Sequence, residues 1–219
     1  MAPFCFSDIH HILYINLKLR ADRRLQMESE LAKFGWLDKA MRFEAVEMPA
    51  LGAIGCSISH LKCLQQAKQH GWSHVLILED DVLFTDPELL KKHTDIFFTK
   101  MEENGDAWDV VLFSGNCGSP YQVMSDLSCV KVTKSLTTAA YLVNAHYYDI
   151  LIQNISSGIK QLIEKKHMKQ MYAIDVYWMQ LQERDNWYLI TPLTVTQRAD
   201  YSNIENAYTN FAQHILTLH

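Results

Sequence analysis

No glycine-rich phosphate loop occurs in this chain. Neither GxGxxG nor GxxxxGKS/T is found among its 219 residues, which hold only eight glycines. A dinucleotide-binding Rossmann crevice and a P-loop are both disfavoured, because each uses those glycines to bring backbone N–H groups close to phosphate. A GxSxG elbow is missing too, which argues against Ser-His-Asp hydrolysis. Cys5, Cys56, Cys63, Cys117 and Cys129 make an odd count without a CxxC pair. A zinc ribbon or a disulfide framework is poorly supported, and reduced thiols in a cytoplasmic chain fit better. No basic stripe offsets the formal net charge of -5, so nucleic acid is not an expected partner, although Arg20, Arg23 and Arg24 form a local basic group. No apolar run is long enough to span a membrane, and Met1 to Leu17 has no basic leader, so neither a membrane span nor a signal peptide is expected. Without secretion, the sequon Asn154-Ile155-Ser156 carries no meaning. No repeat, low-complexity linker or composition break divides the chain, which predicts one domain over 1–219.

What is present is 48% hydrophobic residues, enough for a full core. The most informative stretch is Val75-Leu76-Ile77-Leu78-Glu79-Asp80-Asp81-Val82. Four apolar residues in a row are too few for a helix and read as a strand buried on both faces. Three carboxylates follow at its carboxyl end, where open α/β sheets bind ligands. Adjacent negative charges repel, so they need water or a cation. A hard cation, Mg²⁺ or Mn²⁺, prefers such oxygen ligands and shares them with substrate phosphates. The structural alternative is a solvated acidic turn before the next helix.

Around that stretch the chain alternates strands and helices. His11 to Leu17 reads as the first strand, and Asp22 as the cap of a helix with Met27, Leu31 and Phe34 on its apolar face. Phe43 to Val46 reads as a second strand, followed by a loop with Pro49, Gly52 and Gly55. The next helix is expected to start near Ser57, putting Ser57, Ser59 and His60 in a first turn whose free N–H groups favour an anion. Asp86-Pro87-Glu88 is a strong helix start, and Asn104-Gly105 a stop. Asp109 to Phe113 and Thr138 to Val143 read as strands, Cys129–Val132 as an edge strand. A helix from Asn144 is expected to break at Ser156-Ser157-Gly158, before a solvated lysine-rich helix, Ile159 to Lys169. Ile174, Tyr177, Trp178 and Leu181 then form a helical core stripe. Asp175 heads that stripe among Tyr172, Tyr177 and Trp178, which marks it as a desolvated acid with aromatic neighbours able to stack on a sugar. The class is α/β, with layers around a mostly parallel central sheet.

Three blocks in order, Tyr14-Ile15-Asn16-Leu17 with Arg20, Asp22 and Arg23, then Gly55-Cys56 with Ser59-His60-Leu61, then Leu76 to Val82, resemble glycosyltransferase family 25. Weaker similarity runs through Ala140 to Val143, Ile174-Asp175 and Pro192 to Ser202. The resemblance implies a GT-A type (Rossmann-like) three-layer fold, with a nucleotide-sugar half over about 1–115 and an acceptor half over about 116–219. It implies metal-dependent, inverting transfer of a galactose-like sugar from a UDP-sugar donor to a glycan or glycoprotein acceptor. Mapped onto this sequence, Asp81 is the expected metal ligand, with Glu79 and Asp80 in support. Asn16, Leu17 and Arg23 are expected at the nucleotide, Ser59 and His60 near the ribose or diphosphate. A third metal ligand is expected among Gln197, Asp200, Ser202 and His214. Asp175 is the expected general base. Ser57 stands where the family usually carries a bulky apolar residue, which points to an altered donor pocket. Two other readings compete: a non-catalytic module that binds a sugar nucleotide or glycan, and a nucleotidyltransferase. The second would want a glycine in the Lys18 to Asp22 turn, and there is none.

Overall fold

The computed structural model describes residues 3–48, 51–124, 126–165, 168–202, 204 and 207–219. Pro49 of the expected loop, and Lys166 and His167 of the lysine-rich stretch, lie outside them. β1 (Ile12–Asn16) is buried along its whole length and leads into α1 (Ala21–Ala32). β2 (Ala40–Glu44) follows, then α2 (Gly52–Gln69) and β3 (His74–Glu79). β3 turns at once into β4 (Val82–Phe84) and then α3 (Pro87–Asn104). That helix begins as its sequence predicts: the Asp86 carboxylate accepts from Leu89 N at 3.0 Å, Pro87 takes the first position, and Gly105 closes the helix at φ 68°.

β5 (Val110–Leu112), β6 (Asn116–Val123), β7 (Cys129–Leu136) and β8 (Ala140–Asn144) come next, then the long α4 (Tyr148–Glu164). Three short turns, α5 (Lys169–Tyr172), α6 (Ile174–Tyr177) and α7 (Met179–Gln182), lead to β9 (Trp187–Ile190). β10 (Val195–Gln197), the ribbon β11 (Asp200–Ser202) and β12 (Ala207–Thr209), and α8 (Ala212–Ile215) complete the chain.

Eight strands form one sheet in the order β2-β1-β3-β8-β5-β9-β7-β6. Only β8 and β7 run against the other six. Alternate residues of β1 and β3 feed opposite faces, as the pleat requires. Leu13, Val75 and Ile77 pack with Leu64, Leu151 and Ile155 of α2 and α4, whereas Ile12, Tyr14, Leu76 and Leu78 pack with Met27, Leu31, Leu90 and Phe97 of α1 and α3. The result is a three-layer α/β fold, and it puts the carboxyl end of β3 at mid-sheet.

Four local expectations are corrected. α2 starts at Gly52 rather than near Ser57, so Ser57, Ser59 and His60 lie beyond its first turn and present no free N–H groups to an anion. Gly55 is there for close approach, not to break the helix: a Cβ would stand 2.5 Å from the Val46 carbonyl. α4 runs straight through Ser156-Ser157-Gly158. The Ser157 hydroxyl donates back to the Gln153 carbonyl, and Gly158 is packed against the Tyr177 ring, so tertiary contact overrides weak helix propensity. Cys129–Val132 belongs to an interior strand, β7. The edge is β6, whose Pro120 and register shift between Gly118 and Tyr121 disguise a strand that only an edge tolerates. Finally, Ser57 is buried and bonds the Ala53 carbonyl at 2.8 Å, and it does not line the cavity described below.

Candidate active site

Glu79 ends β3 inside the sheet, so Asp80 and Asp81 emerge at its carboxyl edge before β4 pulls the chain away. Asn16, the last residue of the neighbouring β1, donates to Asp80 at 2.7 Å. Arg23, in the first turn of α1, reaches both carboxylates through Nη1, at 3.0 Å from Asp80 and 3.2 Å from Asp81. Its Nε meets Asp200 at 2.9 Å and its Nη2 the Tyr201 carbonyl at 3.2 Å, while Arg20 also pairs with Asp200. The two arginines thereby tie the β11–β12 ribbon to the acidic cluster.

The three carboxylates titrate apart. Burial, followed by the negative charge of Glu79, pushes Asp81 up to about 7 against the pull of Arg23. Burial raises Asp80 as well. Burial also acts to raise Glu79, but the adjacent His60 imidazole, the Thr138 hydroxyl and Arg23 together hold it below its ordinary value. Glu79 is thus kept ionised, and the repulsion is concentrated on Asp81.

Asp175 enters the same cavity from α6. Its Oδ2 accepts the Thr137 N–H at 3.2 Å, and burial raises its pKa. The next residue, Thr138, donates its hydroxyl to Glu79. Thr137 itself holds φ 77°, a left-handed conformation that costs a β-branched residue energy and recurs at functional sites. Its hydroxyl meets Gln197 Oε1 at 3.4 Å, and Gln197 Nε2 lies 3.2 Å from Asp81 and 3.5 Å from Glu79. β10 supplies Gln197 because it pairs with β4, which sets Gln197 opposite Val82. Thr137, Thr138 and Gln197 therefore connect Asp175 with the acidic cluster. No motif flags the two threonines, since a left-handed threonine cannot be read from a Thr-Thr pair before a strand.

These groups line a cavity of about 590 Å³, together with Leu17, Ser59, His60 and Cys56. Asn16 stands just behind it on Asp80. The Ser59 hydroxyl is already engaged, donating to the Gly55 carbonyl at 2.8 Å and accepting from Val46 N at 2.9 Å. His60 is fully buried, with Nδ1 2.8 Å from the Tyr141 hydroxyl. Burial pushes the Cys56 thiol well above its usual range, and the Glu79 and Asp175 charges add to it. Of the C-terminal candidates, Gln197 contacts Asp81, Asp200 is held by Arg20 and Arg23, and Ser202 and His214 line the cavity wall. The aromatic residues near Asp175 do not face a sugar. Trp178 is fully buried against Tyr141 and Trp187, Tyr172 and Tyr177 pack on each other, and none of the three lines the cavity.

Residues 40–178, which carry the acidic cluster, His60 and Asp175, match the profile of the family described as "Glycosyltransferase family 25 (LPS biosynthesis protein)". The chain belongs to glycosyltransferase family 25. Asn16, Leu17, Arg23 and Gln197 fall outside the matched residues, so the structure rather than the profile joins them to the site. A protein of Aedes aegypti named "Glycosyltransferase 25 family member" is 26% identical in an alignment 196 residues long that covers 77% of this chain. The chain spans about 30% of that relative's length. Among solved structures, the glycosyltransferase involved in glycosylation of the major capsid of PBCV-1 is similar over 93% of this chain and 96% of its own, at 12% identity and a TM-score of 0.45. A197 from STIV is similar over 88% of this chain and 87% of its own, at 13% identity and a TM-score of 0.47. Among the described residues all five cysteines are free, and no helix is long and apolar enough to cross a membrane.

Proposed function

We propose that this family 25 chain transfers a galactose-like sugar from a UDP-sugar to a hydroxyl of a glycan or glycoprotein, with inversion and with a divalent cation bound. One observation carries the reading: the Glu79-Asp80-Asp81 cluster and the buried Asp175 line the same cavity, joined through Thr137, Thr138 and Gln197.

Mn²⁺ or Mg²⁺ suits the donor set. Asp81, Asp80 and Glu79 offer oxygen, and the burial and neighbouring Glu79 charge that drive Asp81 up to about 7 are what a cation offsets. Asp81 would be the direct ligand, with Glu79 and Asp80 behind it. When bound, the cation supplies positive charge where the departing diphosphate gathers negative charge.

The chain's own groups do the rest. Leu17, just past the end of β1, forms part of the wall for the nucleotide, and Asn16 behind it holds Asp80 in place. Arg23 is a fixed cation beside the carboxylates, placed to turn from Asp81 towards phosphate oxygens. His60, braced by Tyr141 and beside Glu79, stands in the cavity wall near the ribose or diphosphate. Asp175 takes the proton from the acceptor hydroxyl; the Thr137 N–H orients its carboxylate, and burial raises its basicity. A single base and no protein nucleophile fit inversion in one displacement.

A panel of UDP- and GDP-sugars with Mn²⁺ tests the reading, followed as nucleotide release and as protection against melting. Release and protection with a UDP-sugar are expected. Protection without release from any donor, with acceptor glycans supplied, would identify a binding module instead.

A further inference from the structure

Cys56 and His60 sit four residues apart on α2, on one face one turn apart, and Glu79 ends β3 opposite them. The Cys56 thiol, a His60 ring nitrogen and a Glu79 carboxylate oxygen all lie within 4.8 Å of one another. His60 Nε2 is 3.4 Å from Glu79 Oε1 but, although wholly buried, makes no hydrogen bond. Its other nitrogen, Nδ1, is 2.8 Å from the Tyr141 hydroxyl. Without a cation an Nε2–H facing Glu79 favours its carboxylate; with a cation bound, the tautomer that donates Nδ1–H to Tyr141 would turn the Nε2 lone pair towards the space between Cys56 and Glu79. That is how an outer partner orients a metal-bound histidine. A buried imidazole nitrogen with no partner, aimed at a thiol and a carboxylate, needs an explanation.

We propose that Cys56, His60 and Glu79 form a site for a thiophilic divalent cation of the zinc class, next to the position at Asp81 and sharing only Glu79 with it. The donors are one sulfur, one nitrogen and one oxygen, a mixture that zinc accepts and that manganese and magnesium do not favour. All three residues line the cavity, so a fourth position opens onto it, the donor count of zinc sites that keep a place for an exogenous ligand. Binding replaces the S–H bond of Cys56 by a sulfur–metal bond, and the proton leaves to solvent. The site escapes the spacing rules for zinc because two ligands come from a helix face and the third from a strand end. It does not depend on sugar transfer, since its ligands are defined by geometry and its test reads no turnover.

Cobalt(II) is the spectroscopic probe. Added to the reduced, metal-free chain, it is expected to give a thiolate-to-cobalt charge-transfer band that saturates at about one ion per chain and is bleached by zinc. Cys56→Ser should abolish the band. Cys5→Ser, which alters the other half-buried thiol, and Asp81→Asn should both retain it. Absence of the band in the wild type, or its survival in Cys56→Ser, overturns the proposal. The unaltered chain offers a second reading that does not depend on a variant folding. Zinc should slow alkylation of Cys56 by N-ethylmaleimide, followed by peptide mass, at least tenfold, while manganese leaves it unchanged. Equal alkylation with and without zinc overturns the proposal as well.

Discussion

Arg23 is the counter-ion of Asp81, its Nη1 3.2 Å from Oδ2, and the same nitrogen also holds Asp80 at 3.0 Å. One guanidinium thus serves two carboxylates in a region where neither side chain is more than 14% exposed. Removing one partner of a desolvated ion pair leaves the other uncompensated. Arg23→Gln should therefore destabilise the metal-free chain by roughly 2 kcal/mol, a fall in Tm of about 4–8 °C. Saturating Mn²⁺ should restore most of that loss if the cation sits on the same carboxylates. Thermal scans of the variant with chelator and with Mn²⁺ decide it: a deficit that Mn²⁺ leaves untouched would separate the arginine from the metal position.

The opposite change is expected at Asp81. Its carboxyl is pushed up to about 7 by burial and by Glu79, so its charge is a burden to the fold when no cation is present. Asp81→Asn removes that charge while keeping the shape, and the metal-free variant should be as stable as the wild type or more so. Donor binding should lose its dependence on Mn²⁺. At a donor concentration near 100 Kd the wild type gains about 2.7 kcal/mol, and the variant should not. Calorimetry that finds the same donor affinity with Mn²⁺ and with chelator, in the wild type, would remove the cation from the proposal.

His74 controls stability in acid. It begins β3, buried, and its Nε2 accepts the backbone N–H of His10 at 3.2 Å, which only an unprotonated nitrogen can do. Burial, with lesser repulsion from His11 and His10, lowers its pKa to about 4 against a weak opposing pull from Asp8. The folded value lies below the unfolded one, so the unfolded chain binds the proton first. Stability held above about pH 6.5 is accordingly lost as the pH falls towards 4, by up to about 3 kcal/mol. Urea denaturation of wild type and His74→Gln between pH 7 and 4 should show their stability gap narrowing by that order. A gap that stays constant across the range would mean that His74 is protonated in the native state.

Much of this arrangement is legible in the sequence, for a physical reason. A buried strand must be apolar throughout, and a helix cap must carry a particular side chain. Val75 to Leu78 and Asp86-Pro87-Glu88 are therefore read directly. Gly55 and Gly158 mislead, because a glycine that admits a neighbouring backbone or ring is spelled the same as one that ends a helix. What joins the acidic cluster to Asp175 is not legible at all. Gln197 reaches Asp81 because β10 pairs with β4 across more than a hundred residues, and Thr137 acts through a backbone angle. The aromatic setting of Asp175 is real, but helical periodicity does not distinguish rings turned to the core from rings turned to a cavity.

The role of Asp175 as base follows from what remains available. Asp80 and Asp81 are occupied by Arg23, Asn16 and Gln197, and Asp81 would be the ligand of the cation, which withdraws its basicity. Glu79 is held ionised, and so is a weak proton acceptor. Asp175 has one backbone donor on Oδ2 from Thr137 and a pKa raised by burial, chiefly desolvation with some repulsion from Glu79. A raised pKa makes the stronger base, provided the pH lies above it. Asp175→Asn preserves size and can still meet Thr137, but it cannot take a proton. Turnover should fall by about 10²-fold or more, with donor and Mn²⁺ affinity nearly unchanged. The acid limb of the wild-type kcat profile should lie above the ordinary aspartate range, with activity lost as the pH drops through it, and the variant should lack that limb. Transfer by Asp175→Asn at close to the wild-type rate would leave Asp175 as a residue that only fixes the Thr137 turn.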